Sequence, residues 1–417
     1  MVPTPLPRDV LATIVDVGSF REPELCAISL ISPHLRYEAQ RMLFRDPGPH
    51  SINVRFDSKS AVTTRLFLNA VASSPDRLAL MVRRFHITVS WFDFHDCFDG
   101  EQGQLQHTLF DCLFQALPLM VNLKELRYHE SLNGSSRPAS GPPPSIWSIL
   151  KRCPFRLQVF WCSYVGTNNR NSVAVFLDGQ SGIRELWLHE APKAMAPDTI
   201  LSLQSLFKDA CPSLISLGGM PEVVASMLAG RQSLQHMSWD EQASFAYAIE
   251  YTETLFDSTN TNSVVFLESL TYGPPLSLVG EVFRNLVILR TWESDIIQKL
   301  DMVKQLEHLR MLIVDMERGL CITSQLDNEE QVVQQVFSHL LSLDYLECHL
   351  PSGTERDRKY IINRKTQGVT IYTIPRGIDL SNSEGKDALQ RKLFVNVDSD
   401  HDFVKLFNMG QVVSERI

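Results

Sequence analysis

Several side chains between residues 91 and 107 are of the types that bind metal ions. The segment WFDFHDCFDGEQGQLQH contains His95, Asp96, Cys97, Asp99, Glu101 and His107. Known metal sites space such ligands in patterns such as CxxC or HExxH, and this segment matches none of these patterns. Acidic loops with aromatic residues are common on protein surfaces. The sequence therefore predicts no metal site and no cofactor.

Motifs for other catalytic chemistry are also missing from the sequence. It contains no GxxxxGK[ST] phosphate loop, no GxGxxG and no GxSxG nucleophile elbow. The histidines at 86, 129, 189 and 236 fall in separate segments, and nothing in the sequence would orient them as ligands. We therefore predict that the protein is not an enzyme, and an enzyme with an unrecognised site is the least favoured hypothesis.

Composition limits the compartment and the partners. The 417 residues are 44% apolar and 21% charged, as in globular proteins, and the net charge of −9 without a basic segment argues against nucleic acid. The eight cysteines are scattered without a CxxC, and no signal segment begins the chain. No apolar run approaches the roughly 18 residues of a membrane helix. We expect a cytoplasmic or nuclear protein that binds neither nucleic acid nor membrane.

The pattern L-x-x-L-x-φ, where φ is apolar, recurs along most of the chain after stretches with helical periodicity. The copies begin at residues 82, 123, 157, 183, 214, 234, 267, 286, 309 and 343. The clearest intervening helices are predicted at 106–117, 294–306 and 328–341. One strand and one helix cannot bury their apolar faces alone, so such units stack side by side.

This pattern resembles a degenerate leucine-rich repeat. The resemblance implies an α/β fold class, with an irregular solenoid of parallel strands and helices on the outer face over residues 64–350. A two-layer α/β domain with a parallel sheet is the alternative, and in both folds the leucines are core. We expect a linker or short edge strand in 47–63, a flexible insertion at 131–145, and a cap or tail at 351–417 with short strands in KYIINRK and VTIYTI.

The first 46 residues predict three short amphipathic helices separated by prolines. Pro7 suits the first turn of the first helix, Pro23 opens the second, and Ser32 is the expected N-cap of the third. A segment this small buries little apolar surface, and it has no cluster of cysteines or histidines to hold it together. We therefore expect part of its apolar surface to be covered by a protein partner.

Residues 6–45 resemble an F-box. The matching residues are the Leu6-Pro7 pair, the apolar positions Val10, Leu11 and Ile14, the segment LCAISLIS, and Phe44-Arg45. The sequence departs from the family at Val17-Gly18, where a leucine is usual, and at Pro33 and Leu35, where a basic residue and tryptophan are common. The resemblance implies that Leu6, Pro7, Val10, Leu11 and Ile14 bind the Skp adaptor of a cullin-RING ubiquitin ligase by burial alone.

The resemblance further implies the substrate-recognition subunit of an SCF-type ubiquitin ligase, which joins the adaptor and cullin core to an unknown target protein. A non-enzymatic repeat scaffold whose F-box does not bind the adaptor is the alternative. On a solenoid, strand residues that alternate with the buried leucines face a partner. The candidates for target binding are Arg127, His129, Trp161, Trp187, His189, Arg290, Trp292 and Tyr345.

Overall fold

We describe the protein from a computed structural model of the full chain. The structure describes residues 6–18, 20–52, 58–92, 101–133, 146–165, 170–190, 207, 209–219, 221–228, 231–239, 261–269, 276–291, 300–315, 329–351, 358–364 and 368–373. The chain forms two compact units, Met1–Met227 and Leu228–Ile417, which we call unit 1 and unit 2. Within the described ranges, no helix has both the length and the apolar character needed to cross a membrane.

Unit 1 is an α/β structure in which most parallel strands are separated by helices. Its described helices are α1 (Arg8–Val17), α2 (Glu22–Ile28), α3 (Pro33–Arg45), α4 (Ser58–Ser73), α5 (Leu78–Met81), α6 (Glu101–Ala116), α7 (Ile146–Leu150), α8 (Arg170–Asp178) and α9 (Pro221–Leu228), which ends at the first residue of unit 2. Its described strands are β1 (Pro49–Ile52), β2 (Arg84–Phe92), β3 (Glu125–Asn133), β4 (Val159–Val165), β5 (Glu185–Glu190) and β6 (Ser216–Gly219). Consecutive strands pair in parallel, in chain order.

Unit 2 continues the same alternation and then ends with antiparallel pairing. Its parallel strands are β7 (His236–Trp239), β8 (Phe266–Ser269), β9 (Ile288–Thr291), β10 (Met311–Asp315) and β11 (Tyr345–Pro351). Among them lie α10 (Leu276–Val282), α11 (Leu300–Val303) and α12 (Glu329–His339). The strands predicted in KYIINRK and VTIYTI are confirmed as β12 (Arg358–Arg364) and β13 (Gly368–Thr373), which pair antiparallel.

A recurring hydrogen-bonded turn begins most of the parallel strands. The first apolar residue of the sequence pattern is buried, and its N–H commonly donates to the carbonyl three residues earlier, as Leu123 does to Met120 at 2.9 Å. The next carbonyl then accepts two N–H groups from the following strand, as Lys124 does from Gln158 and Val159 at 2.7 and 3.1 Å. The same double acceptance recurs at Arg83, Gln158, Arg184, Gln235, Val265, Val287 and Arg310.

One copy of the pattern begins three residues earlier than predicted. The prediction took Leu267 as the first position, but the N–H of Val264 makes the turn hydrogen bond, to the carbonyl of Thr261 at 3.0 Å. Leu267 instead pairs with Leu289, which is the second apolar position of its own copy. The error arose because Leu267 and Leu270 are also three residues apart, so the apolar spacing alone does not determine the register.

The helices α1, α2 and α3 enclose a small apolar core around Val15, Leu25 and Ala39. The predicted N-cap of α3 is confirmed, because the Ser32 hydroxyl accepts the N–H of Leu35 at 3.2 Å. Pro7 lies immediately before α1 rather than in its first turn. This difference of one residue does not change which face of α1 is buried.

The three helices are joined directly to the sheet of unit 1. The carbonyl of Arg45, at the end of α3, accepts the N–H of Arg83 at 3.0 Å, and Phe44 stacks on Phe67 of α4 with ring centroids 5.6 Å apart. Residues 49–52, which lie in the segment predicted as a linker or edge strand, form β1 and pair with β2. The edge-strand alternative is therefore the one that the structure contains.

The imidazole of His50 on β1 is buried between aromatic rings. Its ring centroid lies 4.4 Å from that of Phe67 and 5.5 Å from that of Phe85. Among the described residues, its Nε2 atom has no hydrogen-bond partner. Burial, with a smaller contribution from His86, lowers the pKa of His50 from 6.5 to about 4. The ring is therefore neutral in the folded protein at pH 7.

We expect His50 to make the protein less stable in acid. Between pH 6.5 and pH 4 the unfolded chain binds a proton that folded His50 does not, so lowering the pH from 7 to 5 should remove about 2 kcal/mol of unfolding free energy. Urea denaturation at both pH values measures the loss. His50→Phe should reduce the loss by that amount and keep the ring stack. The exposed His308→Gln should leave the loss unchanged, and an equal loss in His50→Phe would contradict the prediction.

Candidate functional site

The α1 helix carries apolar side chains on two faces. Val15 faces the small core and is buried. Leu6, just before the helix, and Val10, Ile14 and Val17 on it are 56%, 39%, 46% and 75% exposed. Because positions three or four residues apart lie on one side of a helix, these side chains form a continuous apolar surface. We call these four residues the α1 stripe.

The predicted adaptor-binding residues do not all have the same exposure. Leu6, Pro7, Val10 and Ile14 are exposed, whereas Leu11 is half-buried. Leu30 and Ile31, which follow α2, are 78% and 69% exposed and were not among the predicted site residues. The sequence signal for them was the segment LCAISLIS, which has more apolar residues than one helix face can bury. A partner would therefore bind at this site by burying apolar side chains.

Arg127, Trp161 and Trp187 occupy equivalent positions on neighbouring strands and stack across the sheet of unit 1. Strand pairing aligns Arg127 with Trp161 and Trp161 with Trp187. The Arg127 guanidinium carbon lies 4.5 Å from the centroid of the Trp161 ring, a cation–π contact, and the two indole rings stack with centroids 4.8 Å apart. Gly218 follows on β6. We call these four residues the arginine–tryptophan stack.

Two carboxylates hold this stack in place. Glu125 accepts a hydrogen bond from the Nε of Arg127 at 2.7 Å and lies 3.4 Å from the Nε of Arg84. Glu185 accepts the indole N–H of Trp161 at 2.9 Å. These hydrogen bonds therefore fix the orientation of both the Arg127 guanidinium and the Trp161 ring. Trp187 was a predicted target-binding residue, but it is only 8% exposed, so it packs beside Trp161 and presents little surface to a partner.

Two histidines flank Arg127 on the same face. His86 pairs with Arg127 across β2 and β3, and the exposed His129 lies two residues along β3. Burial, with smaller contributions led by the charge of Arg127, lowers the pKa of His86, and partial burial lowers that of His129. Both rings are thus neutral at pH 7 and can offer hydrogen bonds without a charge.

In unit 2, most of the described side chains on the strand face that was expected to meet a target are buried. Tyr345, a predicted target-binding residue, is 1% exposed and packs in an apolar cluster with Phe266, Ile288, Met311 and Ile313. Strand pairing places four of these five side chains side by side at the starts of β8–β11. Tyr345 is therefore a core residue. Parallel strands buried on both faces are commonly rich in apolar residues at successive positions, as in MLIV of β10.

Arg290, another predicted target-binding residue, is engaged in a buried ion pair. Its Nη1 lies 2.8 Å from the Oε1 of Glu268, whose carboxylate is fully buried and also accepts a hydrogen bond from the Ser238 hydroxyl at 3.2 Å. The Nε2 of His236 lies 4.0 Å from this carboxylate. Burial lowers the pKa of His236 to about 4, so the cation nearest to Glu268 at pH 7 is Arg290.

The remaining predicted residues contribute less. His189 lies on β5, and Trp292 lies outside the described residues. Residues 93–100 of the acidic segment also lie outside them, and in the part of the chain that is described no three side chains of His, Cys, Asp or Glu are grouped to bind a metal ion. No protein-family model matches the chain, and no curated protein sequence matches it.

Replacing Gly218 by alanine should disturb the arginine–tryptophan stack. A Cβ atom there would lie 2.3 Å from the Trp187 ring, so the ring would have to move and break its contact with Trp161. We expect a loss of about 1–3 kcal/mol of unfolding free energy and a changed near-UV circular dichroism spectrum. The control is Gly182→Ala, whose Cβ would meet only the Leu157 carbonyl, at 3.3 Å. An unchanged spectrum for Gly218→Ala would refute the predicted movement of Trp187.

Removing the charge of Glu268 should destabilise unit 2 strongly. Glu268→Ala would leave Arg290 largely buried without its counter-charge, which costs about 3–5 kcal/mol. The exposed Arg310–Asp344 pair is the control, and Asp344→Ala should cost less than about 1 kcal/mol. Thermal and urea denaturation measure both losses. Similar losses of unfolding free energy for the two variants would show that the buried ion pair stabilises the protein no more than the exposed one.

Proposed function

We propose that the protein is the substrate-recognition subunit of an SCF-type cullin-RING ubiquitin ligase. In this proposal α1–α3 form an F-box that binds a Skp adaptor, and an irregular leucine-rich-repeat solenoid, with its helices on the outer face, binds a target protein. The observation that carries the proposal is the exposed α1 stripe on a helix whose opposite face already packs on its own core. The resemblance of residues 6–45 to an F-box supplies the identity of the partner.

The energetics of the α1 stripe favour a protein partner. Leu6, Val10 and Ile14 keep between 39% and 56% of their surface in water. Burying the remainder of such side chains contributes roughly 1 kcal/mol each, and Leu30 and Ile31 lie exposed within the same helical trio. Apolar groups that protrude from a rigid helix bind without first losing much conformational freedom. Leu11 is half-buried, so it has less surface left to bury against a partner than the resemblance implies.

The proposed mechanism is proximity. A receptor of this kind makes and breaks no covalent bond, and it acts by raising the effective concentration of a target lysine near the conjugating enzyme. The candidate target surface is the strand face of unit 1 around Arg127 and Trp161. Arginine and tryptophan are enriched among the residues that dominate binding energies. A cytoplasmic or nuclear location would agree with this role.

The alternative from the sequence is a repeat scaffold whose F-box does not bind the adaptor. Both proposals assign the same role to the strand face, so they differ only in what the α1 stripe binds. A test must therefore change the exposed side of α1 while its buried side stays intact. Val10 and Ile14 are suitable because they lie outside the apolar core around Val15, Leu25 and Ala39.

The double variant Val10→Ser/Ile14→Ser should lose the adaptor and keep its fold. We expect the unchanged protein to co-purify with a Skp adaptor as a one-to-one complex. The double variant should bind the adaptor at least about tenfold more weakly, because two apolar anchors are removed. Leu66→Ser and Val175→Ser are controls, since both residues are exposed apolar positions on other helices of unit 1. No complex with the unchanged protein would favour the scaffold.

A further inference from the structure

The turns that lead into β2, β3, β4 and β5 are basic, although the chain has a net charge of −9. No acidic residue occurs in the segments 82–84, 121–124, 151–158 and 179–184. Six basic residues of these segments form no ion pair with any described residue, namely Arg83, Lys124, Lys151, Arg152, Arg156 and Arg184. Lys124 is half-buried and the other five are exposed. We call these six residues the basic edge.

Backbone hydrogen bonds place these turns side by side in one row. The N–H of Lys124 donates to the carbonyl of Arg83 at 2.8 Å. The N–H groups of Gln158 and Arg184 continue the row, donating to the carbonyls of Lys124 and Gln158 at 2.7 and 2.8 Å. Because neighbouring strands lie about 4.8 Å apart, the row spans about 15 Å from Arg83 to Arg184. It ends there, since the next residue in the row is the apolar Ile215, whose N–H donates to the Arg184 carbonyl.

A buried glutamine joins Arg156 to the turn that contains Arg184. The Oε1 of Gln180 accepts the N–H of Leu157 at 2.9 Å, and its Nε2 donates to the carbonyl of Phe155 at 3.2 Å. Gln180 is only 2% exposed, and it lies in the segment 179–184. These two hydrogen bonds use only backbone groups on either side of Arg156. They therefore fix its backbone while its side chain stays exposed, and they do not depend on that side chain.

The nearby carboxylates do not neutralise the basic edge. Glu125 and Glu185, which begin β3 and β5, bond to members of the arginine–tryptophan stack on the strand face. Asp46 pairs with Arg84, which is not a member of the edge. Three exposed aspartates in the neighbouring turns and helix ends form no ion pair with a described residue, namely Asp76, Asp178 and Asp209. The six cations outnumber these three carboxylates, so the edge keeps an excess of positive charge.

This arrangement suits a short segment that is rich in Asp and Glu. Cations held on neighbouring strands repel one another, and carboxylates placed along the row relieve that repulsion. At physiological salt concentration charges are screened beyond about 8 Å, so a short segment on the edge responds mainly to the nearby cations. A nucleic acid or an anionic membrane extends far beyond a row of about 15 Å and also meets repulsion from the net charge of the chain.

We propose that the basic edge docks an acidic segment of a partner protein, whose Asp and Glu carboxylates pair with the exposed arginines of neighbouring turns, Arg83, Arg156 and Arg184. Exposed ion pairs are individually weak, so the affinity of this contact comes from several pairs formed together. The basic edge shares no residue with the α1 stripe or the arginine–tryptophan stack. The inference therefore goes beyond the proposed function and does not depend on it.

The test measures the binding of a fluorescein-labelled decapeptide of alternating Asp and Glu to the full-length protein by fluorescence anisotropy. We expect binding that weakens as the salt concentration rises. The double variant Arg156→Glu/Arg184→Glu should bind the peptide at least about tenfold more weakly, because two attractive charges become repulsive. Its fold should be unchanged, since the Gln180 hydrogen bonds use only backbone groups, and its near-UV circular dichroism spectrum checks this.

A matched variant controls for the change in net charge. Arg284→Glu/Lys304→Glu reverses two exposed cations of unit 2 that form no ion pair with a described residue, and it should bind the acidic decapeptide as the unchanged protein does. A labelled decapeptide of alternating Asn and Gln should not bind. The proposal is overturned if the acidic decapeptide does not bind, if Arg156→Glu/Arg184→Glu binds it equally well, or if a single-stranded decanucleotide binds more tightly. The adaptor takes no part in these measurements, so this result and the adaptor test are distinguishable.

Discussion

A carbonyl oxygen that accepts two N–H groups from the next strand is the interaction on which the parallel sheets depend. An oxygen with two lone pairs can satisfy both donors, and buried backbone donors must be satisfied somewhere. The carbonyls of Lys124 in unit 1 and Arg310 in unit 2 each accept these two hydrogen bonds from the residues that begin the next strand. Since the bonds involve only the residues that enter each strand, the helical segments between strands can differ in length. Proline is incompatible with either donating position, because it has no N–H.

Much of this architecture could be predicted from the sequence, because each turn buries an apolar residue completely. The pattern located the turn before β3 at Leu123 and the turn before β11 at Leu343, and only the copy at Val264 was out of register. The burial of Tyr345 could not be read in the same way. Alternation identifies two faces of a strand but does not say whether both are covered, and the apolar residues Met311 and Ile313 on neighbouring β10 were the available signal.

The arginine–tryptophan stack shows what residue type reveals and what it does not. Arg127 and Trp161 were recognisable candidates because their side chains commonly dominate binding surfaces. The supporting roles of Glu125 and Gly218 were not predicted, since a small or acidic residue has no such signature. Glu125 acts on Arg127 of its own strand, and Gly218 acts on Trp187, which strand pairing brings beside it from the preceding copy of the pattern. On α1, likewise, the sequence predicts an excess of apolar residues, and only the packing of Val15 identifies which side remains in water.

The direct union of α3 with the sheet has a consequence for geometry. The hydrogen bond between Arg45 and Arg83, together with the ring contact of Phe44 with Phe67, holds the end of α3 against α4 and the start of β2. Two molecules bound at the α1 stripe and at Arg127 would therefore keep a constant separation and orientation, instead of sampling the range of distances that a tether allows. The dimensions of unit 1 would then determine which parts of the molecule bound at Arg127 come within reach of the molecule bound at the α1 stripe.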